Sequence, residues 1–551
     1  MNRSLVEKAD SLLSGEQGTV FKDPGGRISV CLVYPNTYRV GMSNLGFQGI
    51  YGLLNRRDDA VCERAFLPDE EDAVLFRRTG TPLFSLESKR PLGAFDIVAF
   101  SIPFENDYPN ILRILEWAKI PFRSSGRDSF QPLLIAGGVC PSFNPEPVAP
   151  VFDVIFIGEA EESLNEFLEK YKAVMESGHV KESAKKAALF IDGVYVPDFY
   201  TLKYHGDGKL AERIPLHGAP ASVKRRCLKE LSSQSVTTSV VSPEAEFSNM
   251  YLIEAMRGCP WSCRFCLVGH IYRPMRKKES SNVRDEITHA RHYTHKIGLI
   301  GPSLTDYAHI REILDIRGVD FSITSLRAGA KSAELVEILR RHKSISIAPE
   351  AGTVRMREVI KKQISESDIL DTSARVLEAG VENLRLYFMI GLPTETMEDI
   401  AGIADVTRKI RQTSKRGVIV LSISTFVPKP FTPFQWHVME PLDNVKAKLK
   451  FIKKELRDES KVRIFHDVPK YAHMQGLFAR GDRRVFEVAE AMTKTDNLKK
   501  ACAEAGTDMD FYIFRKRDFQ EMLPWDFIEG YIPKERLWEE YAEALAIQSG
   551  A

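Results

Sequence analysis

Between Met250 and Glu459 the chain passes six times from a short apolar run to an amphipathic one, and this alternation narrows the possible folds more than any other feature. A short run that is apolar throughout suits a strand covered on both faces, whereas an amphipathic run suits a helix with one covered face. Repeated in series, the two give parallel strands joined by crossover helices. The strands are expected near Tyr251–Ala255, Lys296–Ile300, Val319–Thr324, Ser344–Ala348, Asn383–Ile390 and Val418–Phe426. Helix boundaries agree with this reading: Ser365 carries Asp368 three places on, Thr396 carries Asp399, and Gly380 and Gly417 stand where a left-handed terminator is needed. Right-handed crossovers curl six such units into a partial barrel. Parallel α/β architectures bind their ligands at the carboxyl ends of the strands.

A second alternating region lies upstream, with strands expected at Val30–Tyr34, Asp96–Ser101, Leu133–Ala136 and Asp153–Ile157. The chain is therefore read as α/β: an open parallel-sheet domain over 1–172, a connector over 173–248, the partial (β/α)6 barrel over 249–459 and a helical carboxyl-terminal extension over 460–551. The connector holds an expected hairpin in ALFIDGVYVPDFYTLKY. In the extension, Trp525, Phe527 and Tyr531 read as core. Basic and acidic residues number 76 and 75, so the chain carries no electrostatic footprint for nucleic acid or an anionic membrane, although a folded RNA substrate stays open. No apolar run is long enough for a signal peptide or a membrane span, and a cytoplasmic protein is expected. Of eight cysteines only three cluster, which fits reduced thiols better than a disulfide scaffold.

Those three lie in Met256-Arg-Gly-Cys-Pro-Trp-Ser-Cys-Arg-Phe-Cys-Leu267, just past the first barrel strand. The C-x3-C-x2-C spacing lets Cys259, Cys263 and Cys266 hold three irons of a [4Fe–4S] cubane and leaves the fourth iron without a protein ligand. An open iron can chelate the amino and carboxylate groups of S-adenosylmethionine (SAM) beside the cluster, poised for one-electron reductive cleavage. The competing readings are a set of buried cysteines or a zinc site, which would need a fourth ligand such as His270.

With these motifs, residues from Met250 to Glu459 resemble the radical SAM superfamily. The resemblance implies that the backbone at Phe265 meets the adenine, that Glu350 in Ala-Pro-Glu-Ala-Gly352 contacts the ribose hydroxyls, and that Ile390 and Gly391 wall the base. The second strand ends in Gly301-Pro302-Ser303 where the family often has a Gly-Gly-Glu type segment, so the hold on the SAM amino group passes to Ser303 or to backbone carbonyls. Thr425–Trp436, with Phe431, Phe434 and Trp436, is similar to the segment after the sixth strand in the branch containing methylthiotransferases and cobalamin-linked members.

Upstream, Leu133–Val148 and Phe152–Glu162 resemble the cobalamin (B12)-binding, flavodoxin-like domain fused to many such enzymes, with Ser101, Gly137 and Gly138 at positions that approach the cofactor. The family's Asp-x-His-x-x-Gly loop is absent. Pro35-Asn-Thr-Tyr-Arg-Val-Gly-Met-Ser-Asn44 stands in its place, so cobalamin would bind without a histidine beneath the cobalt. Gly269–Arg276 and Leu523–Asp526 resemble a branch of these enzymes that names no substrate. The implied activity is SAM cleavage to a 5′-deoxyadenosyl radical, with cobalamin-dependent methyl transfer to an unactivated carbon and a flavodoxin or ferredoxin as electron donor. Two alternatives stay open: cobalamin-free radical modification of RNA or a metabolite, and a non-catalytic metal-binding module. No further cysteine triplet occurs in the first 250 residues to support a methylthiotransferase type.

Overall fold

A computed structural model describes residues 2–175, 180–232, 234, 236–323, 325–339 and 342–547. The amino-terminal sheet contains β1 (Ile28–Tyr34), β2 (Ala60–Phe66), β3 (Ile97–Ser101), β4 (Leu133–Gly137), β5 (Val154–Phe156) and β6 (Val194–Tyr195), in the order β2-β1-β3-β4-β5-β6. The first five strands are parallel, and all seven residues of β1 are buried, as expected of a strand covered on both faces.

Strand β2 escapes the sequence pattern because its middle reads Glu63-Arg64. Both charges are buried with partners. Arg64 pairs with Glu16 and Glu87, each at 2.7 Å, and Glu63 accepts from the hydroxyls of Ser85 and Ser88. The expected hairpin is also corrected. Val194–Tyr195 joins the sheet antiparallel to β5, and the hairpin forms one segment later, between β7 (Tyr200–Tyr204) and β8 (Leu210–Pro215). A short strand, β9 (Val223–Lys224), follows.

The barrel region holds β10 (Tyr251–Glu254), the small pair β11 (Met256–Arg257) and β12 (Arg276–Lys277), then β13 (Lys296–Ile300), β14 (Asp320–Ile323), β15 (Ser344–Glu350), β16 (Asn383–Ile390), β17 (Val418–Thr425) and β18 (Val462–His466). The expected strand end Thr324 lies outside the described residues. Among the described residues, the parallel ladders β10-β13-β14 and β15-β16-β17-β18 meet through the bridge from Leu326 to Ile347. The second ladder runs past Glu459. β18 pairs parallel with β17 in a stretch that the sequence reading assigns to the helical extension.

Helices Glu366–Glu378 and Met397–Thr413 begin with the expected capping boxes at Ser365/Asp368 and Thr396/Asp399. Along β16, Leu384, Leu386, Phe388 and Ile390 are buried in the helix-facing core. By the two-residue period of a strand, Arg385, Tyr387 and Met389 face the concave side.

The extension returns to the body of the protein. Strand β19 (Ile528–Glu529) pairs with β9, Trp525 is fully buried and donates from Nε1 to Gln435 Oε1 at 2.7 Å, and Tyr531 packs 4.3 Å from Phe431. Among the described residues no helix is long and apolar enough to cross a membrane.

Candidate active site

All three clustered cysteines sit on one loop, and the chain clamps that loop at both ends. It leaves β11 and returns through β12, which pair antiparallel through Met256–Lys277 and Arg257–Arg276. Inside it, the Cys266 N–H donates to the Cys263 carbonyl at 3.0 Å. Arg264, between two of the cysteines, reaches the carboxyl-terminal helix Lys534–Ala546, meeting Glu540 at 2.9 Å and Glu543 at 2.8 Å. Trp261 donates from Nε1 to Asp306 at 2.7 Å, and the guanidinium of Arg327 lies 3.6 Å over its ring.

The thiols share one electrostatic environment. Burial pushes Cys266 up to about 11, with further raising by Cys263 and Cys259, against the lowering effect of the Gly269 and Val268 amides. Burial raises Cys259 against the Trp261 amide, and it raises Cys263 against Lys362 and Arg327. Among the described residues no three His, Cys, Asp or Glu side chains stand at metal-coordinating spacing. The donor chemistry nevertheless fits an iron–sulfur cluster: three sulfurs on one clamped loop, with amide and cationic neighbours that favour thiolate. His270 is held locally, its Nδ1 2.7 Å from the Cys266 carbonyl, and burial lowers it to about 4.

Ser303 comes to the loop, sharing Asp306 with Trp261 through a 2.8 Å bond. Glu350, at the end of β15 with a left-handed φ of 68°, is paired with Lys362 at 3.0 Å. Phe265 is half-buried and packs against the large core cluster. The side chain of Ile390 points into the helix-facing core, which leaves only its backbone and Gly391 toward the lumen. Gly391 has φ 83°, and an added Cβ would lie 2.9 Å from Glu440 Cβ.

Ser101, Gly137 and Gly138 line a cavity of about 620 Å³ between the amino-terminal sheet and the cysteine loop, a size usual for cofactor sites (roughly 300–1,000 Å³). Across it stand Gly258, Val268 and the end of β13 at Ile300–Pro302. Mid-strand Leu32, Ala99 and Ile135, with Ile50 and Leu164 from the covering helices, carry the lining down the face of the sheet. No histidine lines the cavity among the described residues. These largely apolar walls, with Glu159, Glu161, Glu254 and Arg257 at one edge, suit an organic cofactor or substrate. Gly138 has φ 114°, and an added Cβ would meet the Ile102 carbonyl at 2.6 Å, so packing within the domain already requires glycine there.

Sequence spacing gave no sign of the ion cluster at the edge of this cavity. Glu159 takes both terminal nitrogens of Arg276, at 2.6 and 2.7 Å, and lies 3.2 Å from Arg257. Arg257 also meets Glu254 at 2.8 Å and Glu161 at 2.7 Å. These contacts tie the amino-terminal domain to the strand leading into Cys259.

Residues 46–197 match the family described as Radical SAM proteins, N-terminal, and residues 253–407 match the Radical SAM superfamily. An uncharacterized protein of Methanocaldococcus jannaschii, MJ0966, is 30% identical over 496 residues, 89% of this chain and 97% of that protein. A tRNA-2-methylthio-N(6)-dimethylallyladenosine synthase of Chloroherpeton thalassium is 21% identical over 193 residues, 32% of this chain and 43% of the synthase. Among solved structures, the cobalamin-dependent SAM radical enzyme OxsB aligns with TM-score 0.46 and 15% identity, over 69% of this chain and 51% of its own. Streptococcus suis SuiB bound to SAM aligns with TM-score 0.31 and 13% identity, over 40% and 50%.

Proposed function

Because the chain belongs to the radical SAM superfamily, we propose that Cys259, Cys263 and Cys266 hold a [4Fe–4S] cluster with SAM at its open iron, and that the interdomain cavity seats cobalamin for methyl transfer to an unactivated carbon. When bound, the cluster supplies the electron that cleaves SAM into methionine and a 5′-deoxyadenosyl radical. The chain's own residues hold and shield that chemistry. The β11–β12 clamp and the Arg264–Glu540 pair fix the loop. Ser303, Glu350 and the backbone at Ile390–Gly391 are the contacts assigned to SAM, and Ser101, Gly137 and Gly138 those assigned to cobalamin. A flavodoxin or ferredoxin is the electron donor in this reading.

The observation that carries the cobalamin part is the shared cavity. A single space of about 620 Å³ has the sheet-end glycines on one wall and the cysteine loop on the other, so a cofactor there would face the site of radical formation.

The test is anaerobic reconstitution with iron and sulfide, followed by SAM and dithionite. Release of 5′-deoxyadenosine is expected, with corrin absorption in protein purified from cobalamin-replete cells and S-adenosylhomocysteine once substrate is present. 5′-Deoxyadenosine without any corrin would favour cobalamin-free modification of RNA or a metabolite. A colourless zinc protein would favour the non-catalytic module and end the radical reading.

A further inference from the structure

The barrel carries a cation that its own acids leave free. Arg385 is the third residue of β16, and its neighbours Leu384 and Leu386 are fully buried against the helices, so its side chain lies on the concave face. There its Nη1 donates to Ser422 Oγ at 2.9 Å. No carboxylate stands within ion-pair distance of it among the described residues. Of the other arginines around the barrel and its loops, Arg257, Arg264, Arg276 and Arg355 have a carboxylate partner, whereas Arg327 and Arg357 are bonded to backbone carbonyls. Glu350, the acid at the end of the neighbouring strand, is taken by Lys362.

Register shows what surrounds the guanidinium. Arg385 is level with Ser346 on β15 and Val420 on β17, and Val420 is level with Arg463 on β18, an exposed second cation. One step higher, Tyr387, Ser422 and Phe465 form the next row, and both aromatic rings are exposed. The concave wall therefore offers a guanidinium among hydroxyls and open aromatic faces. A half-buried guanidinium with spare donors in fixed geometry is matched by a phosphate or carboxylate.

Depth separates this position from the SAM subsite. Ser422, where the guanidinium ends, is three residues below the carboxyl end of β17 at Thr425, about 10 Å along a strand. The cysteine loop and the residues assigned to SAM lie at the strand ends.

We propose that the substrate carries an anionic group, a phosphate or a carboxylate, which enters the lumen and is received by Arg385, with its reacting carbon held toward the strand ends. This inference rests on the reading that the barrel is the site of reaction.

The probes are inorganic phosphate, pyrophosphate and glutarate, titrated calorimetrically into cluster-reconstituted, SAM-saturated protein. At least one should bind the wild type. Arg385→Gln should weaken that binding about tenfold or more, the loss expected for a charge-assisted pair, whereas Arg385→Lys should keep part of it. Arg311→Gln, on the exposed surface of the helix Ile310–Leu314, should bind as the wild type does. Unchanged cluster absorption in Arg385→Gln shows that the variant is folded. The proposal is overturned if no probe binds the wild type, if Arg385→Gln binds equally well, or if an anion bound without SAM is displaced when SAM is added, since Arg385 would then serve SAM. Failure of the wild type to release 5′-deoxyadenosine would instead strike the reading of the barrel as a radical site, and is scored separately from anion binding.

Discussion

Removing the carboxylate of Glu159 should uncouple the two halves of the site. Glu159 is 4% exposed and accepts two bonds from Arg276, one from the Leu228 N–H at 2.8 Å and a longer approach from Arg257. Burial alone would raise its pKa, but the Arg276 hydrogen bonds and the charge of Arg257 outweigh burial and hold it below the ordinary glutamate range. Each charge-assisted bond contributes about 1.5–3 kcal/mol, and truncating one member of a buried pair costs about 3–5 kcal/mol because the other is left charged and dry. Arg257 keeps Glu254 and Glu161, so the orphan in Glu159→Ala is Arg276, and a loss of about 3–5 kcal/mol is expected. Urea unfolding checks the size of the loss, and native-state proteolysis at the connector checks where it falls. The pH dependence has a definite sign. With its folded pKa depressed, Glu159 contributes its full stability above the unfolded glutamate value of about 4.3 and loses it as pH falls through the lower folded value. The wild type should therefore lose more stability on acidification than Glu159→Ala, whose remaining acid limb comes from other depressed carboxylates such as Glu146 and Glu540. A variant within about 1 kcal/mol of the wild type, with unchanged proteolysis, would refute the coupling role.

Three further outcomes are expected. Cys263→Ser should abolish cluster incorporation, read as loss of bound iron and sulfide and of visible absorption after reconstitution; retention of a full cluster would contradict the ligand assignment. Glu540→Ala should free Lys361, its partner at 2.6 Å, and leave Arg264 held by Glu543 alone among the carboxylates, costing about 1–3 kcal/mol and hastening loss of the cluster in air, with Glu540→Gln intermediate. His437 is lowered to about 4, first by burial and then by Arg480 and Lys516, so its NMR signals should stay those of a neutral ring from pH 8 to 5. Because the unfolded chain takes up that proton near pH 6.5, stability should fall from pH 6.5 toward 4, by up to about 3 kcal/mol.

Local chemistry explains which elements the sequence makes legible. A strand buried on both faces must be apolar along its length, so β1, β4 and β10 stand out as runs, and capping boxes at Ser365 and Thr396 mark helix starts because they need only residues three apart. The cysteine loop was legible for the same reason, since all three sulfurs lie within eight residues of chain. Where a charge is neutralised by a residue far away, the pattern misled. Glu63 and Arg64 conceal β2 because their partners at Glu16, Ser85 and Glu87 are distant in sequence, and β18 does not stand out because its pattern alternates along one open face instead of forming an apolar run.

What the amino-acid order determined by itself was thus the type of each unit and the identity of the sulfur donors, both set by interactions a few residues long. Only the packed chain decided that Ser101 and Gly137 share a cavity with Gly258, that Glu159 is bonded to Arg276, and that Arg385 is bonded to Ser422 with no carboxylate partner among the described residues. Those facts depend on which faces of separate elements are driven together when apolar surface leaves water, and that force acts without regard to distance along the chain.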